Sequence, residues 1–179
     1  TSPYRMYQYL VNSEDASVIG FLRIFTFLTL AEIAELERET REHPERRAAQ
    51  KSLAAQVVEI VHGREGVAAA ERATRILFGE KIADLSEADL AAIFADVPAV
   101  AVRREALAAG IPLVDLLATT PLCKSKGEAR RAIEQGGAYL NNLPVEGIAR
   151  TVTLADLATP SALVLRKGKK SYCVVRIEG

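Results

Sequence analysis

The spacing of the apolar residues changes partway along this chain, and that change limits its fold more tightly than any motif. Val18, Phe21, Leu22 and Phe25 recur at i, i+3, i+4 and i+7, which lines one side of a helix and not one side of a strand. Thr29 with Glu32 reads as a capping box ahead of a Leu30, Ile33, Leu36 stripe, and Ser2-Pro3 opens an earlier helix over Tyr4–Val11. That stripe stops near His43-Pro44. The next helix is predicted from Pro44 through Leu53, Val57, Ile60 and Val61, with Gly63 as its left-handed terminator. Residues 64–79 predict another helix, closed by Gly79, and Ser86 caps a short one after it. No alternating stretch interrupts this half, which reads as all-α.

Past this point the pattern is different. Residues 97–111 lose clear periodicity and read as a linker, with Arg103 and Arg104 on its exposed side. Pro112 to Ala118 predicts a helix of barely two turns, and Ser125 caps another that ends at Gly136-Gly137. Ala138–Leu140 then reads as a strand entering an Asn141-Asn142 turn, with Leu143-Pro144-Val145 as its return. The last β-rich runs, Ala162–Lys167 and Ser171–Ile177, are joined at Gly168, where a positive φ is needed. The expected fold class is α+β: an all-α helical domain at 1–100, a linker at 101–111, and a small α+β domain at 112–179. In the last, two short helices pack on a small, mostly antiparallel sheet.

Composition removes several functional classes. Two cysteines are too few for a disulfide framework, and His43 and His62 complete no zinc site with them at a familiar spacing. No run reaches the ~18 apolar residues of a membrane span, and no basic start leads into an apolar signal core. The expectation is a cytoplasmic, metal-free protein with no membrane partner. Net charge is zero, but it is segregated: residues 1–120 carry 13 Lys/Arg against 18 Asp/Glu, whereas 121–179 carry 10 against 5. A compact basic end on an acidic chain is the distribution of an electrostatic footprint for nucleic acid.

Four of those ten cations fall in Cys123–Asn142. Its first five residues, Cys123-Lys124-Ser125-Lys126-Gly127, look like a damaged KMSKS, an ATP-handling loop. A flexible loop of that kind would not serve as the N-cap and first turn of a packed helix. The partner signature and nucleotide-binding fold that KMSKS works with have no counterpart in the sequence. In the predicted helix, Ala129, Ala132, Ile133 and Gly136 share one side, and Lys126 and Arg130 line up beside it with Arg131 further round. Arginine offers planar donors and lysine a mobile charge to phosphate oxygens. Ser125 and Ser171 have no histidine in the same domain, and Glu14-Asp15 and Glu37/Glu39 have no apolar pocket to raise a pKa. On residues alone the chain reads as a binding protein without catalytic residues.

At this point a family comes into view. Residues 1–33 and the stretch "HPERRAAQKSLAAQVVEIVHGREG" resemble the helical anticodon-binding region of bacterial and mitochondrial tyrosyl-tRNA synthetases. "CKSKGEARRAIEQGGAYLNN" and "LRKGKKSYCVVRI" resemble that family's αL-type RNA-binding domain, and together the resemblance covers essentially the whole chain. It implies tRNA(Tyr) as partner, with one domain at the anticodon end and the other at the stem and long variable arm. It also implies that this is the non-catalytic C-terminal portion of a longer ligase. ATP and tyrosine would bind an absent catalytic domain, through which the parent homodimerises, and no cofactor would bind here. The chain alone is expected to form no tyrosyl-adenylate. Matching residues take on the family's roles: Glu14 and Asp15 near the anticodon, where a carboxylate accepts from a guanine edge, and Lys124, Lys126, Arg130, Arg131, Arg166, Lys167, Lys169 and Lys170 on the RNA backbone. Alternatively Ser13 or Asp15 caps the next helix, and Tyr139 and Tyr172 belong either to the core or to base stacking. Two rival readings are a general structured-RNA binder, ribosomal or intron-associated, and a protein-interaction fragment.

Overall fold

The computed structural model describes residues 2–179; Thr1, the first letter of the Thr-Ser-Pro-Tyr opening, lies outside the described residues. The chain divides between Thr74 and Arg75 into two compact units.

The first unit is helical, as the apolar spacing predicts. Helix α1 (Pro3–Val11) starts with Ser2 Oγ accepting the Arg5 N–H at 3.3 Å and proline at its first position. Helix α2 (Asp15–Phe25) buries Val18 and Leu22 completely. Helix α3 (Leu30–Glu42) opens on the expected capping box: Thr29 Oγ1 accepts the Glu32 N–H, and Glu32 accepts the Thr29 N–H at 2.7 Å. Caps of this type contribute about 1 kcal/mol. Helix α4 (Ala48–Leu77) is interrupted at Gly63, whose φ of 72° and ψ of 178° are non-helical, so the expected terminator breaks the backbone there and the helix then resumes. Arg47 stands just before α4 and donates to Val11 O and Ser13 O at 2.8 Å each. It thereby satisfies carbonyls that the end of α1 leaves without a helical donor. The core gathers Val18, Leu22, Ile33, Ala49 and Leu53, with Tyr7, Ala54, Val58 and Ala70 alongside.

In the second unit, α5 (Glu87–Ile93) carries a capping box between Ser86 and Asp89. The stretch expected to be a linker is ordered secondary structure. It forms strand β1 (Ala99–Arg103) and helix α6 (Arg104–Ala109). Val100 and Val102 turn onto the core while Ala99, Ala101 and Arg103 face out, an alternation that alanine makes faint. What makes it a strand is its parallel pairing with β7 (Ser171–Glu178), from Ala99 opposite Val174 to Arg103 opposite Glu178. The division between units therefore falls near residue 75, and not across 101–111.

The sheet runs β1-β7-β6-β3-β4, with β3 at Ala138–Leu140, β4 at Leu143–Pro144 and β6 at Ala162–Lys167. Only the β1–β7 pair is parallel, so the sheet is mostly antiparallel as expected. A separate short ladder joins β2 (Ile111–Pro112) to β5 (Thr151–Val152). Helices α7 (Leu113–Ala118) and α8 (Lys126–Glu134) cover one face, burying Leu113, Leu116, Leu117, Ala129 and Ile133 against Leu163, Leu165, Cys173 and Val175. The other face is also covered. The ring of Tyr172 lies 5.5 Å from that of Phe94, just past α5. The Asn141-Asn142 turn has φ of 50° and 63°, a conformation asparagine tolerates better than most residues.

Candidate nucleic-acid interface

Helix α8 is held by its first turn. Ser125 Oγ accepts the Glu128 N–H at 3.2 Å, and Cys123 just ahead of it is 2% exposed. The KMSKS-like letters are thus part of a packed helix start. With Ala129, Ala132 and Ile133 buried, Lys126, Arg130 and Arg131 are left on the exposed side. Lys126 reaches Asp115 on α7 at 2.8 Å; both side chains are exposed, and pairs of this kind contribute about 0–1 kcal/mol. Arg130 and Arg131 make no ion pair or side-chain hydrogen bond among the described residues. The β6–β7 turn sits beside the far end of α8, since the Gly168 N–H donates to Gly137 O at 2.7 Å. Lys169 and Lys170 are exposed in that turn. One surface of the second unit therefore carries Lys124, Lys126, Arg130 and Arg131 from the helix side and Lys169 and Lys170 from the hairpin.

Two of the basic residues singled out in the sequence are placed otherwise. Arg166 is 7% exposed and points to the face of the sheet away from α7 and α8. Its guanidinium lies 3.7 Å from the centre of the Tyr139 ring and 5.9 Å from that of Tyr172. A Cβ at Gly79, where φ is 104°, would come within 3.2 Å of one of its nitrogens, so glycine lets the backbone approach the cation. Arg166 is thus a core cation stacked on an aromatic ring, an arrangement that stabilises by about 0.5–2 kcal/mol, and is withdrawn from the exposed set. Lys167 is half-buried, and its ammonium bonds the Glu128 carboxylate and, at 3.0 Å, Leu122 O. The Lys167 hydrogen bond, then the Lys124 N–H at 2.8 Å, hold the Glu128 carboxyl below its usual range, and Glu128 in turn raises Lys167. Tyr172 is core: 6% exposed, its hydroxyl donates to Ile76 O at 3.1 Å. Tyr139 has one ring face occupied by Arg166.

The first unit has a groove of about 710 Å³ lined by Tyr9, Asn12, Ser13, Glu14, Phe21 and Phe25, among others. Phe21 and Phe25, which share the apolar stripe of α2 with Val18 and Leu22, form part of its wall. Phe21 is 37% exposed and Phe25 53%, with ring centres 6.1 Å apart and tilted. The two acidic residues separate here. Glu14 is the N-cap of α2 without a capping bond, and it lines the groove. Asp15 instead accepts from the side chain of fully buried Gln50, so it neither lines the groove nor caps α2. Glu128, which the sequence reading passed over, was detectable as the fourth residue of a Ser-x-x-Glu pattern starting at Ser125.

Residues 1–79 match the family model described as tRNA synthetases class I (W and Y), and residues 89–175 match the Tyrosine–tRNA ligase SYY-like C-terminal domain. The tyrosine–tRNA ligase of Roseiflexus castenholzii is 46% identical over 178 residues, covering 99% of this chain and 42% of that protein. That of Rhodopirellula baltica is 45% identical over 179 residues, covering 99% of this chain and 41% of that protein. A solved structure, a C-terminally truncated mitochondrial tyrosyl-tRNA synthetase of Aspergillus nidulans, is 38% identical over 44% of this chain and 23% of that one, with a TM-score of 0.42. The chain spans about two fifths of the length of the curated relatives it matches. By both family models and these relatives, it belongs to the tyrosyl-tRNA synthetases, as their C-terminal part.

Proposed function

We propose that this chain is the tRNA-binding portion of a tyrosine–tRNA ligase, holding tRNA(Tyr) for aminoacylation by a catalytic domain that supplies the ATP and tyrosine sites. The observation that carries this reading is the group of exposed cations on α8 and the β6–β7 turn. Among the described residues Arg130, Arg131, Lys169 and Lys170 have no side-chain partner, and their charge is free for phosphates. Contacts of this kind position a helix by shape and charge without reading sequence, which suits a stem and a long variable arm. The first unit supplies base recognition. Unpaired bases are recognised by stacking on aromatic rings and by hydrogen bonds to their edges. The groove offers Tyr9, Phe21 and Phe25 for the first and the Glu14 carboxylate for the second, as acceptor from a guanine edge. Asp15, tied to Gln50, serves instead to hold the turn. The full-length ligase would be a cytoplasmic homodimer formed through its catalytic domain; no described helix here is long and apolar enough to cross a membrane.

A second reading has one observation in its favour. Ile24, Phe27 and Leu30 are 71%, 89% and 78% exposed, and side chains of this kind also suit a protein partner. Fluorescence anisotropy with a labelled tRNA(Tyr) transcript, between about 50 and 200 mM salt, distinguishes the two. Binding is expected with log K falling against log salt at a slope of about −3 to −5, the value for four to six neutralised phosphates. Absence of salt-dependent binding, together with no retention on heparin, would favour the protein-interaction reading.

A further inference from the structure

Lys167 differs from the exposed cations of the basic surface: its side chain is half-buried, and its charge is matched by an equally half-buried carboxylate, whereas the Lys126–Asp115 pair lies open to solvent. We propose that Lys167 is a positioning residue and not a phosphate ligand: with Glu128 it locks loop 122–125 to strand β6, and so fixes the spacing between the cations of α8 and those of the β6–β7 turn. The inference rests on the RNA-binding reading above.

The geometry is that of a three-way clamp. Lys167 is the last residue of β6, and its ammonium donates to the Glu128 carboxylate and to Leu122 O at 3.0 Å. Two of its three donors are therefore used on the protein. The other oxygen of Glu128 accepts the Lys124 N–H at 2.8 Å, and the Glu128 N–H donates to Ser125 Oγ at 3.2 Å. One carboxylate thus joins a strand, an irregular loop and a helix start. Beneath it Leu122 and Cys123 are buried at 9% and 2% exposure. An RNA phosphate that took Lys167 would strip it from Glu128 and leave a carboxylate facing the nucleic-acid backbone. The Lys167–Glu128 pair has no net charge, so it releases no counterion when RNA binds. Lys169 and Lys170, two and three residues on, have no such partner and present their full charge.

This predicts that affinity and salt dependence come apart. In the anisotropy assay, the double variant Lys167→Ala with Glu128→Gln, which removes both charges and leaves no unpaired carboxylate, is expected to weaken tRNA(Tyr) binding roughly threefold to tenfold at every salt concentration, the effect of losing a pre-ordered loop. Its log–log slope should stay within about 0.3 of the unsubstituted chain, whereas Lys169→Ala flattens the slope by about 0.7 to 0.9. Lys167→Arg, which keeps the pair with Glu128, should restore the affinity. A slope flattened as much by the double variant as by Lys169→Ala would overturn the inference, and so would unchanged affinity. A second measurement needs no substitution: reductive methylation of the intact chain, read by mass spectrometry with and without tRNA. The expected result is tRNA protection of Lys169 and Lys170 and a slow rate at Lys167 that tRNA does not change; equal protection of Lys167 would contradict it. If the unsubstituted chain binds no tRNA, both this inference and the reading beneath it fail. Binding combined with a flattened slope in the double variant sinks the inference alone.

Discussion

Alanine at Arg130, Arg131, Lys169 and Lys170 together is expected to cut tRNA(Tyr) affinity about a thousandfold near 0.1 M salt. Each phosphate-neutralising cation accounts for about 0.7 to 0.9 of slope in log K against log salt, so the four together should remove about 3 units. Extrapolated from 1 M salt, where counterion release no longer favours binding, that difference in slope becomes about three decades of affinity. The protein itself should hardly notice. All four side chains are exposed and, among the described residues, without partners, and surface changes of this kind usually alter stability by less than ~0.5 kcal/mol each. Because phosphate contacts carry no base information, non-cognate tRNAs should weaken in parallel unless the variable arm is read through its shape. Lys167 is left out of this set because Glu128 holds it, and Arg166 because it is buried against Tyr139. An unchanged slope with an unchanged circular dichroism spectrum would move the RNA site away from α8 and the hairpin.

Asn142→Ala is expected to destabilise the second unit by about 2 kcal/mol. Asn142 is 5% exposed, and its amide donates to Ile76 O and Glu80 O at 2.8 Å each, carbonyls at and just beyond the end of α4. The Ile76 carbonyl keeps a donor in the Tyr172 hydroxyl at 3.1 Å, so the loss falls mainly on Glu80. Glu80 is exposed, so water can replace the lost donor, and removing that part-buried hydrogen bond costs about 0.5–1.5 kcal/mol. The backbone contributes a further term, because at a φ of 63° alanine is about 1 kcal/mol less favourable than a residue suited to the left-handed region. Asn142→Gly loses the same hydrogen bonds but avoids that strain, so it should cost about 1 kcal/mol less than alanine. Urea denaturation checks both, through a lower midpoint at an unchanged m value. A midpoint for Asn142→Ala equal to that of the unsubstituted chain would show that these two hydrogen bonds carry no net stability.

Local signals in the sequence were read correctly where the causes are local. The capping pairs at Thr29 and Ser86, the Ser125 start of α8, the Asn141-Asn142 turn and the Gly168 turn each depend on residues within a few positions of one another. Errors arose where the cause lies far along the chain. Strand β1 is alanine-rich, and what makes it a strand is a partner beginning at Ser171. Arg166 looked like a hairpin cation because it adjoins Lys167. Yet its alternation with Leu165 sends it to the opposite face of β6, and that face is covered by Phe94, far away in sequence. Glu14 and Asp15 were indistinguishable as neighbours; Gln50, 35 positions on, is what takes Asp15 out of the groove. Phe21 and Phe25 fit the helical stripe as well as Val18 and Leu22 do, and only packing against α3 and α4 shows which pair is buried. Periodicity gives a side of a helix, and the neighbours decide how much of that side becomes core.

The central claim is that two parts of the chain touch two parts of one tRNA, and a nuclease or hydroxyl-radical footprint on tRNA(Tyr) tests it most directly. The unsubstituted chain is expected to protect both the anticodon loop and the stem–variable-arm region. Glu14→Gln with Phe21→Ala should lose the first footprint alone, and the four-alanine variant of α8 and the hairpin the second. Protection confined to one region in the unsubstituted protein, or the same uniform protection in both variants, would contradict the division of labour proposed for the two units.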